Sequence, residues 1–289
     1  MPTGFERAKL VIDALMPIAE QLVQEGSVDA VIQKRLNSLS QAYGGRLLVA
    51  NRQPVDYTKI TTHIAYTYRC LGAHSDWVFK ALSLAGTAVV EQIGRSPIKV
   101  CSIGGGPGSD IAGVMKFAGT WNLANTAFNF DVLDRETAWN RARSELTATF
   151  RPQFTISERH IALDLAAGPE WVMQWDFSDA DIFTMSFALS ELWSFDSNGS
   201  VSKFFDRLIS DSKCGAIFCY VDNGGDNFTP RAEELFYRDD VEILGSNEDD
   251  RLLLSNDEQC SVIEIPFRHR FGQRPKLTGN VAMRVWRKI

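Results

Sequence analysis

The sequence predicts an α/β fold built on a mostly parallel sheet, and three observations predict it. An apolar run over residues 100–103 breaks into Gly104-Gly105-Gly106-Pro107-Gly108 and reopens as an amphipathic segment, which reads as strand, tight loop and helix. Near-continuous apolar runs at 181–189 and 215–222 have the character of strands buried on both faces of a parallel sheet. Ahead of the glycines, apolar positions recur at three- and four-residue intervals, the period of packed helices.

In chain order, residues 12–23 and 28–39 read as two helices, with Pro17 expected to kink or interrupt the first. A polar break containing Gly44, Gly45 and Pro54 follows, and then a further helical pair at 63–69 and 75–82 leads to the first strand. The second strand, 128–134, ends on Asp134 just before a helical pattern through Ala138, Trp139, Ala142 and Leu146. The third exits through Ile161-Ala162-Leu163-Asp164-Leu165, and a helix over 201–209 separates the fourth from the fifth. Segments 261–266 and 281–286 alternate without a long helix between them, so they are expected to form a closing antiparallel pair. The division expected is an N-terminal helical cap, 1–94, and a sheet domain, 95–289.

The glycine spacing narrows the chemistry. A phosphate loop needs Gly-Lys-Ser/Thr at its end, and no lysine lies between Lys99 and Lys116. A dinucleotide loop needs G-x-G-x-x-G, but the third position is Ser109 counted from Gly104 and Ile111 counted from Gly106. What fits is G-x-G-x-G over Gly104, Gly106 and Gly108. This resembles motif I of the class I S-adenosylmethionine (SAM) methyltransferases. The resemblance covers residues 98–289 and implies a seven-stranded, mostly parallel sheet with a terminal antiparallel hairpin, the N-terminal helices covering the SAM pocket. It also implies SAM as cofactor, held by Gly104, Gly105, Gly106 and Gly108, with Asp134 on the ribose hydroxyls. Asp164 and the Leu165 N–H are then expected at the adenine, and Ser186 on the cofactor side of the fourth strand. Two departures stand out: many members carry an acid where this chain has Ser102, and the spacing from Gly104 to Asp134 is long, which keeps Asp131 as an alternative ribose acid.

Catalytic candidates come from the exit of the fourth strand, because ligands of open α/β sheets bind at the carboxyl ends of strands. The stretch Ser186-Phe187-Ala188-Leu189-Ser190-Glu191 lacks the Asn/Asp-Pro-Pro-aromatic sequence common among methyltransferases of nucleobase amino groups. Glu191 is the candidate base or anchor for a cationic acceptor, against the alternative of a carboxylate that only favours a helix start. Tyr66 is its expected partner from the N-terminal helices, although Tyr66, Tyr68 and Trp77 also suit a helical core. Asp222-Asn223-Gly224-Gly225, leaving the fifth strand, forms a second cluster or an ordinary turn.

Composition bounds the rest. The chain has 289 residues, 45% hydrophobic, and a formal charge of −6 from thirty Lys plus Arg and thirty-six Asp plus Glu, which argues against a broad nucleic-acid surface. One basic run, Arg268, Arg270, Arg274, Lys276, Arg284, Arg287 and Lys288, keeps RNA open as a partner. Five scattered cysteines and four histidines without ligand spacing indicate neither disulfides nor a metal site. With no long apolar span or signal-peptide pattern, a cytoplasmic enzyme acting away from membranes is expected. The expected activity is methylation of a small-molecule nitrogen or oxygen. An RNA methyltransferase, aminocarboxypropyl transfer or cyclisation of the methionine moiety, and a non-catalytic SAM-binding subunit are the alternatives.

Overall fold

The computed structural model describes residues 2–43, 55–94, 97–166, 176–196, 198–224, 228–247 and 251–289; Gly44, Gly45, Pro54 and Gly225 lie outside them. The sheet runs in the order β3 (Thr155–Ala162), β2 (Ala127–Asp134), β1 (Ile98–Ile103), β4 (Ile182–Ser186), β5 (Ile217–Asn223), β8 (Thr278–Lys288), β6 (Val241–Ser246). β7 (Arg251–Leu253) pairs with β8 off this path. The first five strands are parallel, and β8 is antiparallel to each of its neighbours. Strand order reverses between β1 and β4, and that reversal opens a crevice at their carboxyl ends.

Alternation along the strands divides the interior into two cores. Phe130, Val132, Ile182 and Val221 share one with α1 (Gly4–Leu22), α2 (Val28–Tyr43), α4 (Gly72–Leu84), α5 (Gly86–Ile93), α6 (Ser109–Thr120) and α7 (Asn140–Ala148). Ile103, Leu133, Phe183, Met185 and Phe218 share the other with α8 (Leu189–Phe195), α9 (Ser200–Asp211) and α10 (Thr229–Phe236). Each such side chain taken fully from water contributes about 1.5–3 kcal/mol, so the N-terminal helices are held by the same burial that holds the sheet.

Several local expectations change. α1 starts on a capping box, in which Thr3 Oγ1 accepts from the Glu6 N–H at 3.2 Å and Glu6 accepts from the Thr3 N–H at 2.6 Å, and it runs through Pro17 unbroken. The second helical pair is continuous: α3 (Ile60–Tyr66) passes through a π turn, Thr67–Leu71, into α4. Gly72 within this helix leaves the Phe5 ring room that a Cβ would meet at 2.6 Å. The segment expected as the first closing strand is instead α11 (Ser261–Phe271). Ile263, Phe267 and Phe271 are buried at four-residue spacing, so the helical face outweighs the short alternation that suggested a strand. The closing antiparallel pairing is made by β8 with β6 and β7, whose short apolar runs sit between acidic stretches.

Candidate functional site

The glycine loop makes the floor of the crevice. Gly104, Gly106 and Gly108 have φ of +65°, +44° and +96°, a left-handed region that side-chain-bearing residues rarely adopt. Three of the four glycines pack against protein: a Cβ on Gly104 would meet Ala188 at 2.8 Å, on Gly105 Val132 at 2.7 Å, and on Gly108 Leu146 at 2.8 Å. Gly106 differs. Its nearest neighbour would be Trp139 at 3.9 Å, so this glycine leaves its space to the cavity.

One cavity gathers most of the expected residues: Gly104 and Gly106, Asp134, Asp164 with Leu165, Ser186, Glu191 and Tyr66. Gly105 and Gly108 shape the loop from behind and do not line it. Asp134 closes β2 as expected, its Oδ2 accepting from the Gly106 N–H and its Oδ1 from the Glu136 N–H, each at 2.9 Å. Burial raises its carboxyl above the ordinary aspartate range, and those two N–H bonds oppose the rise. Asp131, the alternative, is taken up elsewhere by Arg159 at 2.8 Å and Lys99 at 3.2 Å. Asp164 is exposed, with Oδ1 accepting from the Ala166 N–H at 3.1 Å. Ser102 faces away from the cavity: its hydroxyl bonds Thr184 at 2.9 Å, which donates to Asp110 at 2.9 Å. Burial pushes Asp110 up to about 7.

The loop is pinned by a residue that sequence reasoning missed. Arg143 is fully buried on α7 and donates to the Gly106 carbonyl at 2.9 Å and to His160 Nδ1 at 2.7 Å, with Glu158 at 3.4 Å and Asn140 completing its fork. Its motif-free setting, Asn140-Arg141-Ala142-Arg143, gave no cue except the helical phase that sets it beside Leu146. Trp139, one turn earlier, stacks on His63 at 4.3 Å and meets Tyr57 at 5.2 Å and Tyr66 at 5.6 Å, making an aromatic wall over the loop. Burial draws the His63 imidazolium down, so this wall is uncharged.

At the β4 exit, Phe187 holds φ +56°, a strained setting for an aromatic residue, while its N–H donates to Val221 at 2.7 Å. The strain turns its ring onto His74, 3.9 Å between centroids. Glu191, in the first turn of α8, accepts from Tyr43 at 2.9 Å, and Tyr43 in turn shares a short hydrogen bond with Tyr57. Tyr43 and Tyr57 were not anticipated, because only the fold brings them to the strand exits. Tyr68 and Trp77 are fully buried core, whereas Tyr66 lies in the cavity wall. Asp222 is buried behind Ser190, accepting from its N–H at 2.9 Å and its hydroxyl at 2.6 Å.

The basic C-terminal run does not form a free patch. Arg268 and Arg274 pair with Glu264, Arg270 with Asp29, Arg284 with Glu233, Arg287 with Glu242 and Lys288 with Asp240. Among the described residues the one carboxylate cluster of metal-binding geometry, Asp76, Asp257 and Glu258, surrounds the Lys116 ammonium at 2.8–3.1 Å. No described helix is long and apolar enough to cross a membrane.

The strand order, with one antiparallel strand inserted between the fifth and sixth, is that of the class I SAM-dependent methyltransferase fold. No family model matches the chain, and no curated protein matches it in sequence. Solved structures resemble it remotely. A Pyrococcus horikoshii protein provisionally assigned as an RNA methyltransferase has a TM-score of 0.46 at 12% identity, over 88% of this chain and 96% of that one. The plantazolicin methyltransferase BpumL, in complex with a monoazolic desmethyl-plantazolicin analogue and S-adenosylhomocysteine (SAH), has 0.45 at 10% identity, over 91% and 100%. TehB from Haemophilus influenzae has 0.39 at 16% identity, over 71% and 62%.

Proposed function

We propose that the chain is a SAM-dependent methyltransferase acting on a nitrogen or oxygen of a small molecule. The observation that carries the reading is the convergence of the open Gly106 position, Asp134 and Asp164 on one cavity at the β1–β4 switch point. SAM supplies an electrophilic methyl group on a sulfonium, which leaves as the thioether SAH. Asp134 keeps unused lone pairs for the ribose hydroxyls, and hydrogen bonds to an ionised acceptor are roughly twice as strong as neutral ones. Asp164 and the Leu165 N–H serve the adenine edge, and Gly106 lets the backbone approach the methionine end. Leu133, Leu163 and the aromatic wall exclude water, which strengthens each polar contact inside. Glu191 takes the proton that the acceptor loses, with Tyr43 holding its carboxylate in place. Tyr66, between the donor cavity and α4, orients the acceptor. Transfer of this kind leans on proximity and alignment, so a nucleophilic dyad is not required.

The pairing of nearly every cation in the C-terminal run favours a small acceptor over RNA. The test is incubation with SAM labelled separately in the methyl and aminocarboxypropyl carbons, together with extract fractions of small molecules and of RNA, followed by mass identification of the product. Methyl label in a small molecule is the expected result. Label from the aminocarboxypropyl carbons, or methyl label confined to RNA, would replace this reading with one of its alternatives.

A further inference from the structure

A second cavity, of about 180 Å³, abuts the first and shares Tyr66 and Phe187 with it. Arg69, His74, Asn223 and Lys276 are among its polar lining, with Ser40, Tyr43 and Ser190. Lys276 is the exception in the basic run. Its ammonium lies 4.4 Å from the Phe187 ring centroid and 4.9 Å from that of Trp77, and among the described residues it meets no carboxylate within ion-pair distance. Its backbone N–H donates to the Arg69 carbonyl at 2.8 Å, fixing the lysine against the π turn. The acid behind the cavity, Asp222, is already engaged by Ser190 and Asn223. Arg69 donates to a backbone carbonyl, Arg274 O, at 2.6 Å and pairs with no acid among the described residues. His74 is buried with Nε2 lacking a hydrogen-bond partner among the described residues, and burial, with Lys276 beside it, draws its imidazolium well down, so it stays neutral there.

A half-buried lysine held among rings, with no carboxylate in ion-pair contact among the described residues and inside a protein of net charge −6, is a costly arrangement that an anion would complete. Ring faces offset only part of the cost of taking an ammonium from water. We infer that this second cavity binds the methyl acceptor and that the acceptor is a small anion, its carboxylate or phosphoryl group on Lys276 and its apolar body against Phe187 and Tyr66. Arg69 lines the same cavity, and the acceptor's nucleophilic atom points across the Phe187–Tyr66 divide towards the donor cavity. π turns frequently mark functional sites, and this one delivers both Arg69 and Cys70 to the lining. The assignment of the occupant as acceptor rests on the proposed methyltransferase reading, whereas the anion preference stands on the cavity alone.

The experiment is isothermal titration of the full chain with benzoate, phenyl phosphate and neutral benzamide, each with and without saturating SAH. At least one anion is expected to bind ten or more times tighter than benzamide, and the tighter anion identifies the group that Lys276 receives. Lys276→Met is expected to abolish that preference while SAH affinity stays within about twofold; Lys276→Gln, which keeps part of the stem over Phe187, replaces it if the first variant does not fold. Benzamide binding as tightly as both anions overturns the inference without any variant, as does no saturable binding of either anion up to about 10 mM. Anion preference without SAH binding would sink the methyltransferase reading and keep the anion site. SAH binding without anion preference would do the reverse.

Discussion

The two cavities meeting at Phe187 and Tyr66 use their polar groups in opposite ways. On the glycine-loop side the protein satisfies itself first: Asp134 receives two backbone N–H groups, and Arg143 caps the Gly106 carbonyl. On the other side Lys276 and His74 Nε2 keep their hydrogen-bonding capacity unspent among the described residues. The first arrangement fixes a backbone shape, which suits a constant ligand read mostly by shape and a few lone pairs. The second stores charge for whatever ligand arrives, which suits a site that defines specificity.

The largest expected effect breaks the self-satisfied side. Arg143→Met fills similar volume but strands Glu158 and the Gly106 carbonyl, and losing one partner of a buried ionic network costs about 3–5 kcal/mol. Urea unfolding measures this; an unchanged midpoint would mean the loop holds its own shape. Next is Asp134→Ala, which removes a charged acceptor and should weaken SAH binding by about 1–3 kcal/mol in a titration. Full affinity in that variant would return the ribose role to another group. Smaller still, Glu191→Gln and Tyr66→Phe should each slow turnover about tenfold, or 1.4 kcal/mol, while SAH affinity holds within about twofold. A parallel loss of SAH binding would make them parts of the donor cavity alone.

A pH-dependent effect on stability concerns Asp110, whose carboxyl is raised by burial from 3.8 to about 7. Because the folded state keeps a proton that the unfolded chain releases, this group's stabilisation is fully present below 3.8 and is lost as pH rises towards 7. Wild type should therefore lose stability between about pH 4 and about pH 7 by a component that Asp110→Asn lacks. Equal pH slopes in urea unfolding would show that Asp110 ionises as easily folded as unfolded.

The same contrast explains what the sequence made legible. The loop needs left-handed backbone at Gly104, Gly106 and Gly108, so its requirement is written in adjacent residues. Asp134 was readable at the end of β2 because that strand's end follows from its apolar run. The second cavity draws on Arg69 and His74 of one continuous helix together with Phe187, Asn223 and Lys276, four chain segments that only the tertiary fold unites. Arg143 was hidden for the same reason, its partners lying on β3 and in the glycine loop. The C-terminal topology was misread at 261–266 because a short alternating segment satisfies a strand and a helix alike until burial at Ile263, Phe267 and Phe271 decides. The basic run suggested a surface, and the fold spent all of it except Lys276 on neighbouring acids and one cavity.

The central claim is that the glycine loop is a cofactor floor whose open position is Gly106. Isothermal titration of SAH into wild type and Gly106→Val tests it most directly, with circular dichroism reporting that both are folded. The account predicts single-site binding by wild type and none by the folded variant, whose side chain occupies the space that Gly106 leaves open. SAH binding of equal strength to both, or to neither, would contradict it.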